Sequence, residues 1–137
     1  MKGRAVFVDT GAWVALRYRR DGMHARSRSL LRKLRREKVN LVTSDLVVVE
    51  TVTLLKARGA VDHAIALGEA LQGGVLGRVV EHTPERSRRA WALFVRHRAL
   101  RSGFVDCASF GIMDELGLDT VFGFDDDFVR AGFLLYS

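Results

Sequence analysis

The sequence predicts an α/β fold in which a mostly parallel sheet of about five strands is covered by helices on both faces. Short apolar segments alternate with longer amphipathic ones along the chain, which is the pattern of βα units. Serine or threonine before these longer segments, and glycine after them, mark helix starts and ends. The 137 residues contain one proline and no Ser/Gly-rich linker, so we expect a single domain spanning residues 1–137.

The first half of the chain predicts two strands and four helices. Leu30, Leu31 and Leu34 repeat at helical spacing, and Ser44 followed by Asp45 is a helix-start signal. Three valines follow Asp45 and also suit a strand, but length and capping favour a helix. The predicted elements are a strand over 5–8, a helix carrying Trp13, Val14 and Leu16, a basic helix over 24–38, a strand over 40–43, and helices over 46–58 and 61–71.

The second half predicts three more strands. Thr83 before Pro84 places a capping residue ahead of proline at the first helical position, and Gly117 ends the next helix. The predicted elements are a strand over 78–81, a helix over 84–100 with Ala90, Leu93, Phe94 and His97 facing inward, a helix over 105–116, a strand over 119–124, a helical turn over 126–130 and a strand over 133–136.

Charge is unevenly distributed along the chain, which has a formal net charge of +6. Segments 17–38 and 85–101 are rich in arginine, whereas 104–137 holds seven acids against Arg130 alone. Basic segments attract a polyanion, and clustered carboxylates repel it unless a metal ion neutralises them. The single cysteine, Cys107, excludes an internal disulfide and a cysteine zinc cluster and fits a reducing compartment. Apolar runs are too short for a membrane span or secretory signal, so we expect a cytoplasmic protein.

Four acidic residues lie either in apolar sequence, where burial of a carboxylate costs free energy, or at strand ends, where α/β sheets carry their active sites. Asp9 follows the first strand and Asp125 follows the strand over 119–124, and sites in parallel sheets lie at such carboxyl ends. Glu50 and Asp106 lie within apolar sequence, where an unpaired carboxylate pays a large desolvation penalty. We therefore expect these four side chains to converge in one pocket.

Each acid also has a structural interpretation. Asp9 could cap the next helix, Asp106 could be an N-cap in competition with Ser102, and the triplet 125–127 could be a solvated turn. Glu50 could belong to a polar stripe, although the residues one turn away are apolar. Taken together, oxygen ligands without histidine or thiol suit Mg²⁺ or Mn²⁺. Such ions activate water toward phosphodiesters, and the basic helices would hold a nucleic acid backbone.

The acidic residues fall in segments that resemble the four motifs of PIN domains, in the right order and over nearly the whole chain. No single motif is specific, but the four together are. They are Phe7-Val8-Asp9-Thr10-Gly11-Ala12, then Ser44 through Glu50-Thr51, then Ser102 through Asp106-Cys107-Ala108, and finally Gly123-Phe124-Asp125-Asp126-Asp127-Phe128 with Gly132-Phe133. The sequence departs from the commonest pattern at Asp45 and in its three consecutive acids.

The resemblance implies a three-layer α/β/α PIN-like fold and a Mg²⁺- or Mn²⁺-dependent endoribonuclease. By position, the catalytic acids would be Asp9, Glu50, Asp106 and Asp125, with Asp9, Asp106 and Asp125 as metal ligands and Thr10 and Asp127 as auxiliary polar groups. Whether Asp126 or Asp127 assists Asp125 stays open. Small chains of this kind resemble the toxin of a VapC-type toxin–antitoxin pair, usually a homodimer silenced by an antitoxin protein, with RNA as substrate.

Several residues outside the motifs have two interpretations. Arg17, Arg19 and Arg20 follow the first helical turn closely and could bind RNA or an acidic antitoxin segment, or could form a solvated loop. Trp13 could stack on a base, but packing in the core is commoner.

Three other functions are compatible with parts of the sequence. A catalytically silent PIN-like scaffold would bind RNA or protein through the basic helices, but the complete acid set disfavours it. A phosphoacceptor receiver domain needs a late lysine, and none follows Lys56. A structure-specific DNA nuclease would share the site chemistry, so RNA and DNA hairpins must be compared.

Overall fold

The computed structural model describes residues 3–137 as a five-stranded sheet flanked by helices. The elements in chain order are β1 (Ala5–Val8), α1 (Thr10–Arg17), α2 (His24–Arg36), β2 (Asn40–Ser44), α3 (Asp45–Ala57), α4 (Val61–Gln72), β3 (Arg78–Val80), α5 (Pro84–Arg96), α6 (Phe104–Leu116), β4 (Thr120–Phe122), α7 (Asp127–Arg130) and β5 (Leu134–Leu135). The predicted fold class is therefore confirmed.

The sheet has the strand order β3-β2-β1-β4-β5, and every neighbouring pair is parallel. Parallel crossovers are right-handed, so the steps from β1 to β2 to β3 place α1–α4 on one face. The return from β3 to β4 places α5 and α6 on the other. Strand order reverses between β1 and β4, and ligands of such sheets bind outside the carboxyl ends of the strands at this switch point.

Buried aromatic rings fill the space between the sheet and the α5–α6 layer. Phe110 of α6 meets the ring of Phe128 edge-on at 5.0 Å and stacks on Phe133 at 5.7 Å, measured between ring centroids. The first two of these side chains are essentially inaccessible to solvent, and Phe133 is nearly so. Since Phe128 and Phe133 flank α7, this packing fixes the segment that follows β4 and carries the acidic triplet.

Several element boundaries differ from those predicted. The helix predicted over 84–100 ends at Arg96, because the chain turns at His97 to start the segment leading into α6. The strand predicted over 119–124 covers only Thr120–Phe122, and the last strand is shortened to Leu134–Leu135. The N-cap position of α6 is Gly103, whereas Ser102 and Asp106 were the predicted candidates. Among residues 3–137, no helix is long and apolar enough to cross a membrane.

A buried hydrogen-bond chain joins β2 to the end of β1. Trp13 Nε1 donates to Thr43 Oγ1 at 3.3 Å, and that hydroxyl donates to the Val8 carbonyl at 2.9 Å. Trp13 is only 2% exposed, so it packs in the core, and stacking on a base is excluded. The chain of bonds fixes the backbone one residue before Asp9.

We predict that Thr43→Val lowers the free energy of unfolding by about 1–3 kcal/mol. Valine keeps the shape of threonine but leaves the Trp13 N–H buried without an acceptor, which carries the full desolvation cost. Urea unfolding measures the change. Thr53→Val, at an exposed position of α3, is the matched control, and equal stability of the two variants would contradict the role of the hydrogen bonds.

Candidate active site

Asp9 lies at the switch point, at the carboxyl end of the central strand β1. Its backbone N–H donates to the Phe122 carbonyl at 3.0 Å, which continues the pairing of β1 with β4. Gly123 permits this close approach, since a Cβ built there would come within 3.1 Å of the Asp9 Cβ. Asp9 occupies the N-cap position of α1, but its carboxylate makes no capping hydrogen bond. Helix capping therefore does not explain this buried acid.

Glu50 is brought toward Asp9 by helix α3. The Ser44 hydroxyl accepts a hydrogen bond from the Val47 N–H at 3.1 Å, so the predicted helix start is confirmed. Asp45 fixes the same end by accepting from the His82 N–H with both carboxylate oxygens, at 3.1 and 3.0 Å. Helix α3 packs against α1, and Glu50 is half-buried on the side that faces the end of β1.

Asp106 lies in the first turn of α6. Its Oδ2 accepts a hydrogen bond from the Gly103 N–H at 3.2 Å, so one oxygen caps the helix. The side chain is half-buried. Asp106 is thus not the N-cap of α6 but supports the N-cap residue Gly103 from the third helical position, and its second carboxylate oxygen is available for another partner.

Asp125 and Asp127 have different surroundings, although only one residue separates them. Asp125 is exposed, and its Oδ1 accepts from the Asp127 N–H at 2.9 Å. The buried Asp127 carboxylate instead accepts from Ser102 Oγ and from Arg130 Nη1, each at 3.0 Å. Asp126 is exposed at the N-cap position of α7. Asp127 therefore positions the Asp125 segment through its backbone, whereas its side chain is engaged elsewhere.

A cavity of about 280 Å³ collects the four predicted catalytic acids. Asp9, Glu50, Asp106 and Asp125 all line it, together with Thr10. Asp127 is not among its lining residues, and its auxiliary role stays a prediction. A larger cavity of about 660 Å³ lies at the opposite end of the sheet, and no carboxylate of residues 3–137 lines it. The predicted catalytic side chains therefore lie in the smaller of these two cavities.

The carboxylates of this cavity oppose one another's ionisation. Burial, reinforced by the negative charge of Asp106, raises the pKa of Asp9 from 3.8 to about 7. Burial also raises the pKa of Asp106 to about 6, with Asp125 and Glu50 adding repulsion that the Gly103 N–H partly offsets. Among residues 3–137, none of the four acids forms an ion pair with a cation. The cluster is therefore short of positive charge.

The cavity fits a hard divalent cation in the chemistry of its donors. Asp9 Oδ1 and Thr10 Oγ1 are buried without a hydrogen-bond partner, and each such atom carries a desolvation cost that a ligand would remove. The donors are oxygens, as Mg²⁺ and Mn²⁺ prefer. In the described part of the chain, no three acid, histidine or cysteine side chains are already arranged to hold an ion. Binding therefore requires the repelled headgroups to move together.

Arg58 and Asp21 also line the cavity, and neither was predicted. Arg58 Nη1 lies 3.7 Å from Asp21 Oδ2, and its guanidinium sits 5.6 Å above the centre of the Tyr18 ring. The helical spacing contains a usable signal, because Glu50, Leu54 and Arg58 recur every four residues along one face. Among the described residues, Arg58 is the one cation that lines this cavity.

The three arginines predicted to bind RNA lie beside the cavity rather than in it. Arg17 is half-buried in the last turn of α1, and Arg19 and Arg20 are exposed in the turn that follows. Asp21, the next residue, does line the cavity. Their role in RNA binding stays a prediction.

The chain is similar to a known protein family, to a protein of known activity and to two solved structures. The family model for the PIN domain matches residues 6–134. The chain is 34% identical over 129 residues to the 23S rRNA-specific endonuclease VapC20 of Mycobacterium tuberculosis in two strains, covering 94% of this chain and 95% of that protein. The crystal structure of VapC20, described as a sarcin–ricin loop cleaving toxin, matches with a TM-score of 0.84 over 94% of this chain and 96% of that one.

A more distant structure shares the fold alone. The crystal structure of PAE2754 from Pyrobaculum aerophilum matches with a TM-score of 0.61 at 21% identity, covering 98% of this chain and 90% of that chain. Both structural matches span the sheet and its helices, so the three-layer arrangement is that of the family.

Proposed function

The chain belongs to the PIN-domain family, and on that basis we propose that it is a divalent-metal-dependent endoribonuclease, the toxin of a type II toxin–antitoxin pair. The observation that carries this proposal is the convergence of Asp9, Glu50, Asp106 and Asp125 on one cavity, with a buried Asp9 oxygen that has no partner. A catalytically silent scaffold would not need four carboxylates on one cavity when, within residues 3–137, none of them forms an ion pair, because such an arrangement costs stability.

The acids divide the work according to their surroundings. Asp9, Asp106 and Asp125 would hold Mg²⁺ or Mn²⁺, which when bound activates water and offsets charge on the phosphate. Glu50, which lies on α3, would orient the attacking water and accept its proton at the carboxylate. Arg58, which lines the same cavity, would contact the phosphate of the substrate, since a guanidinium can bind phosphate with two parallel hydrogen bonds.

We propose a hairpin of 23S ribosomal RNA as the substrate class, on the strength of the relative's activity. The arginine-rich helices support RNA as the substrate, because basic side chains bind a phosphate backbone and 18 of the 22 cationic residues are arginine. We also propose that the protein forms a homodimer and is inhibited by an antitoxin protein. A reading frame beside this gene that encodes a DNA-binding head and an acidic or amphipathic tail would support the antitoxin.

A cleavage assay tests this proposal. The purified protein is incubated with a sarcin–ricin hairpin RNA and with the DNA hairpin of the same sequence, in Mg²⁺, Mn²⁺ or EDTA. We expect cleavage of the RNA with either ion, products with a 5′-phosphate and a 3′-hydroxyl, and no cleavage in EDTA. Undiminished cleavage in EDTA would contradict the metal dependence, preference for DNA would contradict the substrate class, and inactivity in all conditions would leave the scaffold interpretation.

A further inference from the structure

An exposed aromatic side chain lies on α5, in the most arginine-rich part of the second half of the chain. Trp91 is 59% exposed, and its ring stacks on Phe94 with a centroid distance of 5.5 Å. An exposed indole offers a large apolar surface together with a polar N–H, and tryptophan is enriched at binding interfaces for that reason. Segment 85–101 holds six arginines and one acid. Three of these arginines pair with Glu85, Asp114 and Glu115, and the other three form no ion pair within residues 3–137. The surface therefore keeps an excess of positive charge, which favours an anionic partner.

Trp91 also borders a cavity of about 470 Å³ between α5 and the start of α6. The cavity is lined by Pro84, Ser87, Arg88, Trp91 and Phe104. This volume is in the range of small-ligand pockets and admits a nucleobase with its sugar. Two aromatic rings and a guanidinium are groups on which a base stacks, and the Ser87 hydroxyl supplies a polar contact. Arg88 is highly exposed and pairs only with the equally exposed Glu85 at 3.4 Å.

The cavity is connected to the candidate active site through α6. Phe104, which lines the cavity, is the first residue of α6, and Asp106 lies two residues later in the same helical turn. The edge of His82 packs against the Phe104 ring at a centroid distance of 6.0 Å, so the ring is supported from behind. The cavity and the acid cluster therefore share the first turn of α6, so one RNA strand could contact both.

We propose that this cavity binds an unpaired base of the RNA substrate, stacked on Trp91, with Arg88 at the neighbouring phosphate. The inference rests on the proposed function and extends it, because it assigns a specificity site outside the acidic cavity. Charge favours RNA over a second copy of the chain, since a two-fold interface through α5 would place the same arginines against each other. An unpaired base is required because a base within a duplex already stacks on its neighbours through both faces and leaves no face free for Trp91.

Tryptophan fluorescence provides a direct test, because the chain has two tryptophans and the other, Trp13, is buried. The wild-type protein in EDTA is titrated with a sarcin–ricin hairpin and with a fully paired duplex of the same stem. We expect the hairpin to quench the solvent-exposed emission and the duplex to have little effect. Binding of the hairpin without quenching would overturn the proposal.

Kinetics then separate this cavity from the catalytic residues. Trp91→Ala should raise KM for the hairpin about 5- to 100-fold, the scale of one lost base–aromatic stack, with kcat nearly unchanged, while Trp91→Phe should recover most of the loss. Val75→Ala removes an exposed apolar side chain at the other end of the sheet and is the control.

The outcomes distinguish failure of this inference from failure of the proposed function. If the wild type cleaves the hairpin and Trp91→Ala cleaves it equally well, the base site is wrong and the nuclease assignment stands. If the hairpin quenches Trp91 but no RNA is cleaved in Mg²⁺ or Mn²⁺, the base site stands and the nuclease assignment fails. If Trp91→Ala instead converts a dimer into a monomer in sedimentation experiments, the surface is an interface between copies and the inference is overturned.

Discussion

Asp106→Asn should lower the rate of RNA cleavage by at least about 1000-fold while the protein remains folded. Removing one member of a group of side chains that act as a unit costs nearly as much as removing the whole group. The asparagine amide oxygen can still accept the hydrogen bond from the Gly103 N–H, so the first turn of α6 keeps its cap. What disappears is the second carboxylate oxygen and the negative charge, which are the features that would hold a divalent ion.

The matched control for this substitution is Asp114→Asn, on the same helix. Asp114 is exposed and pairs with Arg89 at 3.4 Å, and exposed pairs of this kind contribute little to stability. Both variants should show the same far-UV circular dichroism and nearly the same urea midpoint. Single-turnover cleavage at saturating protein then compares the chemistry. Wild-type turnover by Asp106→Asn would remove the basis for assigning the acids a catalytic role.

The fold was predictable because buried parallel strands leave a strong mark in sequence. Strands covered on both faces read as short continuous apolar runs, and the helices between them carry caps and amphipathic spacing. Strand ends were less predictable, because they depend on the neighbouring strand. β4 pairs with β1 through Val121 and Phe122. The predicted strand over 119–124 extends beyond Phe122, the last residue of β4 that pairs with β1.

The four acids were predictable for a different reason. Burying a carboxylate within apolar sequence, or directly after a buried strand, costs free energy unless the charge is paired or bound to a metal. Such a carboxylate is therefore retained where it has a function, and its apolar neighbours can be recognised in the local sequence. Asp127 and Arg58 depend on contacts between distant segments, such as the bond from Ser102 to Asp127 across 25 positions. No local pattern distinguishes Asp126 from Asp127, because their burial is decided by how α7 packs on the aromatic cluster.

Asp9→Asn should have opposite effects on activity and on the stability of the metal-free protein. Cleavage should fall at least as far as in Asp106→Asn, since Asp9 is the most buried of the four acids, at 5% exposure, and has an unpartnered oxygen. The metal-free protein at pH 8 should become more stable by about 1–3 kcal/mol. The reason is that the wild-type folded state must keep a buried carboxylate ionised beside three others, and the neutral amide removes that repulsion.

The pH dependence of this gain follows from the sign of the pKa shift. The pKa of Asp9 is about 7 in the folded protein and 3.8 without the fold, so between these values the folded state binds more protons. Wild-type stability in EDTA should therefore fall as the pH rises from about 4 to about 7 and level off above that. The pKa of Asp106 is raised from 3.8 to about 6, so this residue also lowers the stability of the folded state as the pH rises from about 4 to about 6. This loss occurs in both the wild type and Asp9→Asn.

Urea unfolding at several pH values, with EDTA or with excess Mn²⁺, measures both effects. In EDTA, the advantage of Asp9→Asn should be absent near pH 4 and largest at pH 8, whereas Glu69→Gln, at an exposed position of α4, should show no such trend. In Mn²⁺ at pH 8 the order should reverse, because an ion that binds only the folded state stabilises it and the variant lacks a ligand. A wild type that is neither destabilised by rising pH nor stabilised by the ion would show that the carboxylates of this cavity are not held in mutual repulsion, and the metal site would lose its physical basis.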